Sequence, residues 1–319
     1  MSECHILSFP IAKKMTRLGG GRNNRVVVAE YGRDKSVIKS FSIERQREGK
    51  FAREVAFLEF CRKLGPSPVP KLINQCKEHG VLETSFEAGS TREVVDTRDV
   101  GQLVGFLRLI NSDQAVQVGG FEFEALEYVD SIIKFEETIN SRRQSIRRVI
   151  GLTKHKHLTE IENVISIIEN YLMSPEYNSD IRTFAGLLEN TRKTIHGHRF
   201  LSPSDFGSHN ILKKDGSLIF FDFEYSGYDS GVNLLGDTLT QPDTRWAEGA
   251  RQLFASRFML ELFGINLQSS EPLERLFALR WTLVMVMRTL RVIQENEHLE
   301  AVMALNLYSR TNKLAHYGG

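Results

Sequence analysis

A hairpin signal in the second half of the chain constrains the fold more than any other feature. Two apolar segments, residues 210–212 and 218–221, flank a short polar stretch that contains Asp215-Gly216. An Asp-Gly pair between apolar segments predicts a tight turn, because both residues tolerate positive φ. We therefore expect the two segments to pair as antiparallel strands.

The predicted hairpin brings three oxygen-bearing side chains to one of its ends. Asp205 and Asn210 are five residues apart, and Asp222 follows seventeen residues after Asp205. Carboxylate and carboxamide oxygens are the hard ligands that Mg²⁺ takes when it bridges nucleotide phosphates. The sequence therefore predicts a metal and phosphate site at this end of the hairpin.

The stretch around these residues resembles the catalytic loop of the aminoglycoside phosphotransferase and choline kinase family, small-molecule kinases related to protein kinases. The resemblance implies that Asp205 positions or deprotonates the acceptor hydroxyl and that Asn210 and Asp222 hold magnesium. Asp205-Phe206-Gly207 also spells the metal-binding motif of protein kinases, but that alignment leaves Asp222 without a role and is rejected. One departure from the family is Pro203, which stands where a histidine is usual.

A glycine-rich turn near the start of the chain is a candidate phosphate contact. Gly19, Gly20 and Gly21 precede the β-branched run at residues 25–31. Glycines let backbone N–H groups approach a phosphate closely. The turn lacks both the spaced glycines of a dinucleotide fingerprint and the Gly-Lys-Ser/Thr ending of a P-loop, and an ordinary hairpin turn stays open as an alternative.

A strand lysine and a helix glutamate form a second candidate pair. Lys39 lies between apolar residues on one face of the predicted strand 36–41. Glu54 falls within the apolar stripe of a predicted helix over residues 44–64, and a carboxylate that faces a core needs a positive partner. Lys39 is the natural partner, as in the kinase fold. The alternatives are a solubilising edge-strand lysine and a surface glutamate.

The remaining signals give the domain organisation. After two short predicted strands, Ser85, Phe86 and Glu87 form the expected hinge that would bind adenine through main-chain groups; amphipathic helices follow. We expect an α+β, two-lobed, protein-kinase-like fold with a small antiparallel N-terminal sheet and a mainly helical C-terminal lobe. The expected boundaries are 1–84 for the nucleotide-binding lobe, 85–112 for the hinge and linker helix, and 113–319 for the helical lobe.

Composition excludes several classes of protein. The 319 residues include 41 basic and 40 acidic side chains, a net charge of +1 that favours neither nucleic acid nor an anionic membrane as a partner. Three cysteines are too few for a disulfide framework, no apolar run is long enough to span a bilayer, and no signal peptide is evident, so a cytoplasmic location is expected. Motifs of serine hydrolases and of dinucleotide-dependent dehydrogenases are absent.

These signals, in their family order, predict an ATP- and Mg²⁺-dependent kinase that phosphorylates a hydroxyl of a small molecule. No protein-kinase activation segment ending in Ala-Pro-Glu follows Asp222, which argues against a protein substrate. Glu224 and Asp229 are candidates to line the acceptor pocket because of their charge and position. The alternative is an inactive kinase-like nucleotide-binding or scaffold protein. The sequence does not fix the acceptor, the choice of ATP over GTP, or the oligomeric state.

Overall fold

The computed structural model describes residues 12–18, 24–91, 94–152, 158–194, 199–294, 303–305, 308 and 312–317. The chain forms two compact units. The first comprises Met1–Tyr128 and His198–Asp229, and the second comprises Val129–Gly197 and Ser230–Gly319. The segment that contains Asp205, Asn210 and Asp222, called the catalytic-loop segment below, therefore belongs to the same unit as the N-terminal sheet. The lobe boundaries expected at residues 84 and 112 stay predictions.

A five-stranded antiparallel sheet opens the first unit, in the order β1-β2-β3-β5-β4. Its strands are β1 Lys14–Arg17, β2 Arg25–Tyr31, β3 Asp34–Ser40, β4 Leu72–Cys76 and β5 Val81–Ser85. Strand β3 lies between β2 and β5, and Lys39 pairs with Val26 on one side and Leu82 on the other. The predicted lysine strand is therefore internal to the sheet, which removes the edge-strand interpretation of Lys39.

Two helices follow β3, where the sequence predicted one. They are α1 Ile43–Arg47 and α2 Lys50–Lys63, separated by Gly49 at a φ of 75°. That left-handed conformation suits glycine and interrupts the helix that the apolar stripe alone predicted. Helix α2 buries Phe51 and Val55 against Phe41 and Leu82. Each such side chain contributes about 1.5–3 kcal/mol when fully buried.

The remainder of the first unit consists of helices α3 Thr97–Ile110 and α4 Asp113–Val118 and short strands β6 Ser90–Thr91, β7 Val94–Val95, β8 Phe200–Ser202, β9 Ile211–Lys214, β10 Ser217–Phe220 and β11 Gly227–Asp229. Helix α3 supports the catalytic-loop segment at two points. The Gln102 side chain accepts from the Leu218 N–H (2.8 Å) and donates to the Gly216 carbonyl (2.9 Å). The Asn111 amide accepts from the Leu201 N–H (2.7 Å) and donates to its carbonyl (2.9 Å).

The second unit is helical. Its helices are α5 Ile132–Leu152, α6 Leu158–Met173, α7 Pro175–Thr194, α8 Gly231–Thr240, α9 Ala250–Phe263 and α10 Glu271–Gln294, with a two-residue strand, β12 Arg245–Trp246. Phe277 of α10 packs on Phe135 of α5 and Phe184 of α7, and all three are fully buried. Among the described helices, none has the length and apolarity needed to cross a bilayer. The expected small antiparallel sheet and mainly helical remainder are confirmed.

The described cysteines differ in state. Cys61, in α2, is a buried free thiol whose pKa burial raises to about 12. Cys76, in β4, is disulfide-bonded. One such bond is not a framework, but it removes cysteine usage as an argument for a reducing compartment.

Candidate active site

The predicted hairpin is present and positions Asp222. Strands β9 and β10 pair in antiparallel register, with Ser217 opposite Lys214 and Phe220 opposite Ile211. Asp215 and Gly216 form the turn with φ values of 51° and 83°, the two positive values that a type I′ turn requires. Asp222 follows β10 with a φ of 67°. A non-glycine residue in this region carries about 1–3 kcal/mol of strain, a cost typical of functional segments.

The residues on either side of Asp222 anchor it. Phe223 is buried and stacks on Phe57 of α2, with ring centroids 4.3 Å apart. On the other side, the Phe221 N–H donates to the Asn210 carbonyl at 3.1 Å. Asn210 is itself buried, and its Nδ2 donates to the Asp205 carbonyl at 2.9 Å. Two hydrogen bonds thus join the three segments that carry Asp205, Asn210 and Asp222.

Asp205 lies in a strained loop with a half-exposed carboxylate. Ser204, directly before it, has a φ of 69°, and its N–H donates to the Ser202 hydroxyl at 3.0 Å. The Asp205 side chain is 30% exposed, and its Oδ2 lies 3.3 Å from the Nε2 of His209. The carboxylate is therefore held by its loop and partly exposed to solvent. His209 was not among the predicted site residues, because the family pattern places its histidine before the aspartate.

Lys39 is the centre of a buried cluster of charges. Its Nζ lies 2.6 Å from an oxygen of Glu54, 2.5 Å from Asp222 and 3.4 Å from Glu224. The side chains of Lys39, Glu54 and Glu224 are less than 10% exposed, whereas that of Asp222 is 36% exposed. The predicted ion pair between Lys39 and Glu54 is confirmed, and Glu54 is not a surface residue. The three N–H donors of the ammonium face three carboxylates.

The electrostatics of the cluster follow from this surplus of carboxylates. Burial by itself would lower the pKa of Lys39, but the charges of Asp222, Glu54 and Glu224 reverse this effect and hold the pKa above its usual value. Burial raises the pKa of Glu54 to about 7, against the lowering effect of Lys39. Lys39 therefore stays protonated, and three carboxylates share the single positive charge of its ammonium.

Glu224 belongs to this cluster. Its Oε1 accepts from Nη1 of Arg45 at 2.5 Å, and its Oε2 accepts from Nδ2 of Asn24 at 2.5 Å. Arg45 lies on α1, and Asn24 directly precedes β2. Glu224 was predicted to line the acceptor pocket, and that role stays a prediction. The pairing with Arg45 and Asn24 has no local sequence signal, because the partners are about 180 and 200 residues away from Glu224.

The other predicted site residues lie elsewhere in the first unit. Asp229 ends β11, where it pairs with Phe200 of β8. Ser85 ends β5, and its hydroxyl donates to Glu87 at 2.9 Å. Among the described residues, no backbone hydrogen bond outside the helices and strands involves Phe86 or Glu87. Gly19, Gly20 and Gly21 lie outside the described residues.

The oxygen atoms of Asp222 and Asn210 suit a divalent metal, whereas Glu54 and Glu224 are more deeply buried than Asp222 and paired with Lys39 and Arg45. Glu54, Asp222 and Glu224 each offer a carboxylate oxygen, and these oxygens lie within 4.8 Å of one another. Asp222 is the most exposed of the three. The Nδ2 of Asn210 is committed to the Asp205 carbonyl, so its amide oxygen is the atom that would meet a cation. Three carboxylates against Lys39 and Arg45 leave one excess negative charge, and oxygen donors suit Mg²⁺.

The small antiparallel sheet, the mainly helical remainder and the buried pair of Lys39 and Glu54 are the features of a protein-kinase-like fold. No family model matches the chain, and no curated protein matches it in sequence. Solved structures do match over nearly the whole chain. A choline kinase from Cryptosporidium parvum Iowa II is 15% identical, with 95% of this chain and 87% of that chain covered and a TM-score of 0.54.

Two further solved structures are similar over comparable lengths. Choline kinase LicA from Streptococcus pneumoniae is 15% identical, with 96% and 95% coverage and a TM-score of 0.53. A thermostable mutant of aminoglycoside phosphotransferase APH(4)-Ia, in a ternary complex with AMP-PNP and hygromycin B, is 13% identical, with 96% coverage of both chains and a TM-score of 0.52. The chain has the fold shared by choline kinases and aminoglycoside phosphotransferases.

Proposed function

We propose that this protein is an ATP- and Mg²⁺-dependent phosphotransferase that moves the γ-phosphoryl group to a hydroxyl of a small molecule. The observation that carries the proposal is the placement of Lys39, whose ammonium contacts a buried helix carboxylate and a more exposed hairpin carboxylate at once. Phosphoryl transfer asks the protein mainly for placement of the reactants and neutralisation of charge. A lysine held in this way supplies both at the phosphates.

Each residue of the site has one task in this reaction. Lys39, oriented by Glu54, contacts the α- and β-phosphates. Asp222 and Asn210 would hold magnesium, which would supply positive charge to neutralise the phosphates. Asp205, with its half-exposed carboxylate, aligns the acceptor hydroxyl and receives its proton. Main-chain groups of Ser85, Phe86 and Glu87 are the proposed adenine contacts, and Gly19, Gly20 and Gly21, which lie outside the described residues, are the proposed phosphate contacts.

The acceptor belongs to the class of amino alcohols, aminoglycosides and sugars. Solved structures with this fold include choline kinases and a phosphotransferase complex with hygromycin B. Glu224 and Asp229 are the proposed acceptor residues, and Asp229 is the better candidate because Glu224 is buried with Arg45. Asp229→Asn should raise the acceptor KM more than the KM for ATP. An unchanged acceptor KM removes Asp229 from the site.

Thermal unfolding with nucleotide tests the proposal before any acceptor is known. A ligand at a hundred times its Kd stabilises the fold by about 2.7 kcal/mol, a readily measured shift in midpoint. We expect ATP with Mg²⁺ to stabilise the wild type. Asp222→Ala should abolish the Mg²⁺-dependent part of the shift, and Asp205→Ala should retain it. Asp215→Asn is the matched control, because it removes a carboxylate from the same hairpin and asparagine tolerates the turn conformation.

Transfer itself is then measured with ATP labelled in the γ-phosphate and a panel of amino alcohols, aminoglycosides and sugars. Label in an acceptor, lost in Asp205→Ala, supports the proposed reaction. Stabilisation by nucleotide without transfer to any member of the panel would favour the alternative, an inactive nucleotide-binding protein. No stabilisation by any nucleotide would reject the proposal.

A further inference from the structure

Three cationic side chains, one each on β3, α1 and α2, contact the segment that begins at Asp222. Lys39 contacts Asp222, Arg45 contacts Glu224, and the Nζ of Lys50 lies 4.7 Å from the ring centroid of Tyr225. The proposed reaction accounts for Lys39 but gives Arg45 no task. The side chain of Arg45 is nevertheless only 14% exposed, although it lies on a five-residue helix none of whose residues is fully buried. The proposed reaction therefore does not explain why Arg45 is paired with Glu224.

Glu224 joins three parts of the proposed nucleotide site. One oxygen accepts from Arg45, and the other accepts from Asn24 and lies 3.4 Å from Lys39. Asn24 comes immediately before the strand that follows the glycine-rich turn. The carboxylate of Glu224 therefore links the phosphate-contacting lysine to the strand entry next to that turn. Its 4% side-chain exposure means that it depends on these partners for its charge.

We propose that Arg45 is a positioning residue for nucleotide phosphates, acting through Glu224. Arg45 fixes one oxygen of Glu224, and this keeps the other oxygen on Asn24 and Lys39. Without the guanidinium, the buried negative charge of Glu224 must be neutralised mainly by Lys39. The ammonium of Lys39 is then less available to bind a phosphate. The inference rests on the proposed function, because it concerns how that site receives its nucleotide.

The structure also says which conservative change should be tolerated. Arg45 contacts Glu224 through one guanidinium nitrogen and one carboxylate oxygen, rather than through a two-pronged pair. A lysine at this position offers a single charged donor of similar reach. Arg45→Lys should therefore retain most of the function that Arg45→Met loses. Arg47 provides the matched control, since it lies on the same helix and is exposed.

Calorimetric binding of two probes separates this role from a general loss of structure. ADP with Mg²⁺ engages the phosphate end of the site, whereas adenosine has no phosphates. We expect Arg45→Met to weaken binding of ADP with Mg²⁺ by about ten- to a hundredfold, the range of a lost hydrogen bond to a charged group. Adenosine affinity should be unchanged. Arg45→Lys should stay within about threefold of the wild type and Arg47→Met should match it, by the same arithmetic.

A double-mutant cycle tests whether Arg45 acts through Glu224. In a Glu224→Ala background, Arg45→Met should have almost no further effect on ADP binding, because the intermediary is gone. Equal weakening in both backgrounds would overturn the proposal and indicate a direct phosphate contact. Equal weakening of ADP and adenosine by Arg45→Met would overturn it as a structural effect. A wild-type protein that binds neither probe would instead reject the proposed function itself.

Discussion

Replacing Lys39 by methionine should destabilise the first unit by an amount that the cluster geometry predicts. Methionine keeps the apolar stem of the lysine and removes only the ammonium. The carboxylates of Glu54 and Glu224, 7% and 4% exposed, then lose their shared partner. Glu224 retains Arg45, whereas Lys39 is the only cation that forms an ion pair with Glu54 among the described residues.

The expected loss follows from the burial of the pair. Removing one member of a buried ion pair costs about 3–5 kcal/mol, because the other charge is left without compensation. An exposed pair contributes about 0–1 kcal/mol. Lys35 and Glu30 form such a pair in the same sheet, with side chains 46% and 27% exposed. Lys35→Met therefore serves as the control, with an expected loss below about 1 kcal/mol.

The thiol of Cys61 offers a local readout. It is free, fully buried and on the same helix as Glu54, so it becomes reactive only when this part of the molecule opens. Pulsed alkylation, quantified on the peptide that contains Cys61, measures the population of the open state. A loss of 3–5 kcal/mol corresponds to labelling about 10²- to 10³-fold faster or more. Both tryptophans lie in the second unit, so their fluorescence would not report this opening.

The pH dependence of the stability lost in Lys39→Met provides an independent test. Burial already raises the pKa of Glu54 to about 7, above its usual value of 4.5. A carboxyl with a raised folded-state pKa stabilises the fold less as pH rises above the unfolded-state value. Removing Lys39 raises that pKa further, so the penalty in Lys39→Met should be larger at pH 8 than at pH 5. Adding Glu54→Gln should recover at least about 1 kcal/mol at pH 8.

Two results would refute this reasoning. Lys39→Met that labels within about fivefold of the wild type, a difference of about 1 kcal/mol, would mean that the ammonium does not compensate the buried carboxylates. A double variant, Lys39→Met with Glu54→Gln, whose loss equals the sum of the two single losses would mean that the two residues are not coupled.

Two smaller predictions concern the packing of α8 and the start of α3. Gly236→Ala would place a Cβ against the ring of Phe277 at less than contact distance, so tryptophan fluorescence should show the second unit destabilised by about 1–3 kcal/mol. Gly186→Ala is the control, because a Cβ there meets open space, and this change should be neutral or slightly stabilising. Asp96→Ala should cost about 1 kcal/mol by removing the helix cap. The Arg98 side chain, together with two backbone N–H groups, lowers the pKa of Asp96 to about 2. The wild type should therefore be more stable than Asp96→Asn above pH 4, and this difference in stability should disappear as pH falls through 2. A difference that stays constant with pH would contradict the lowered pKa of Asp96.

The parts of the fold that local chemistry dictates were predictable from the sequence. Asp215-Gly216 specifies a turn with two positive φ values, and the structure has both. The stripe that includes Phe51 and Val55 specifies the buried face of α2 and places Glu54 within it. In each case the deciding interactions lie within a few residues along the chain, or follow from the rule that a buried carboxylate needs a cation.

Long-range partners and helices with weak patterning were not predictable in the same way. Arg45 and Asn24 lie far from Glu224 in sequence, and no residue spacing indicates that they meet. Gly49 divides the predicted helix because of its backbone conformation, which an apolar stripe does not report. Helices α5 and α7 are rich in charged residues, and their apolar faces become evident only when Phe135 and Phe184 meet Phe277.

Pro203 is the departure that most weakens a catalytic interpretation of the sequence, and the structure shows what supports the loop without a histidine there. The N–H of Ser204 is held by a side chain of β8, and the carbonyl of Asp205 is held by Asn210. Phe206 is buried and stacks on Phe220 at 5.3 Å. The carboxylate of Asp205 has His209 on one oxygen. An orienting group before the aspartate is therefore not required to fix this loop, so Pro203 alone does not argue that the site is inactive.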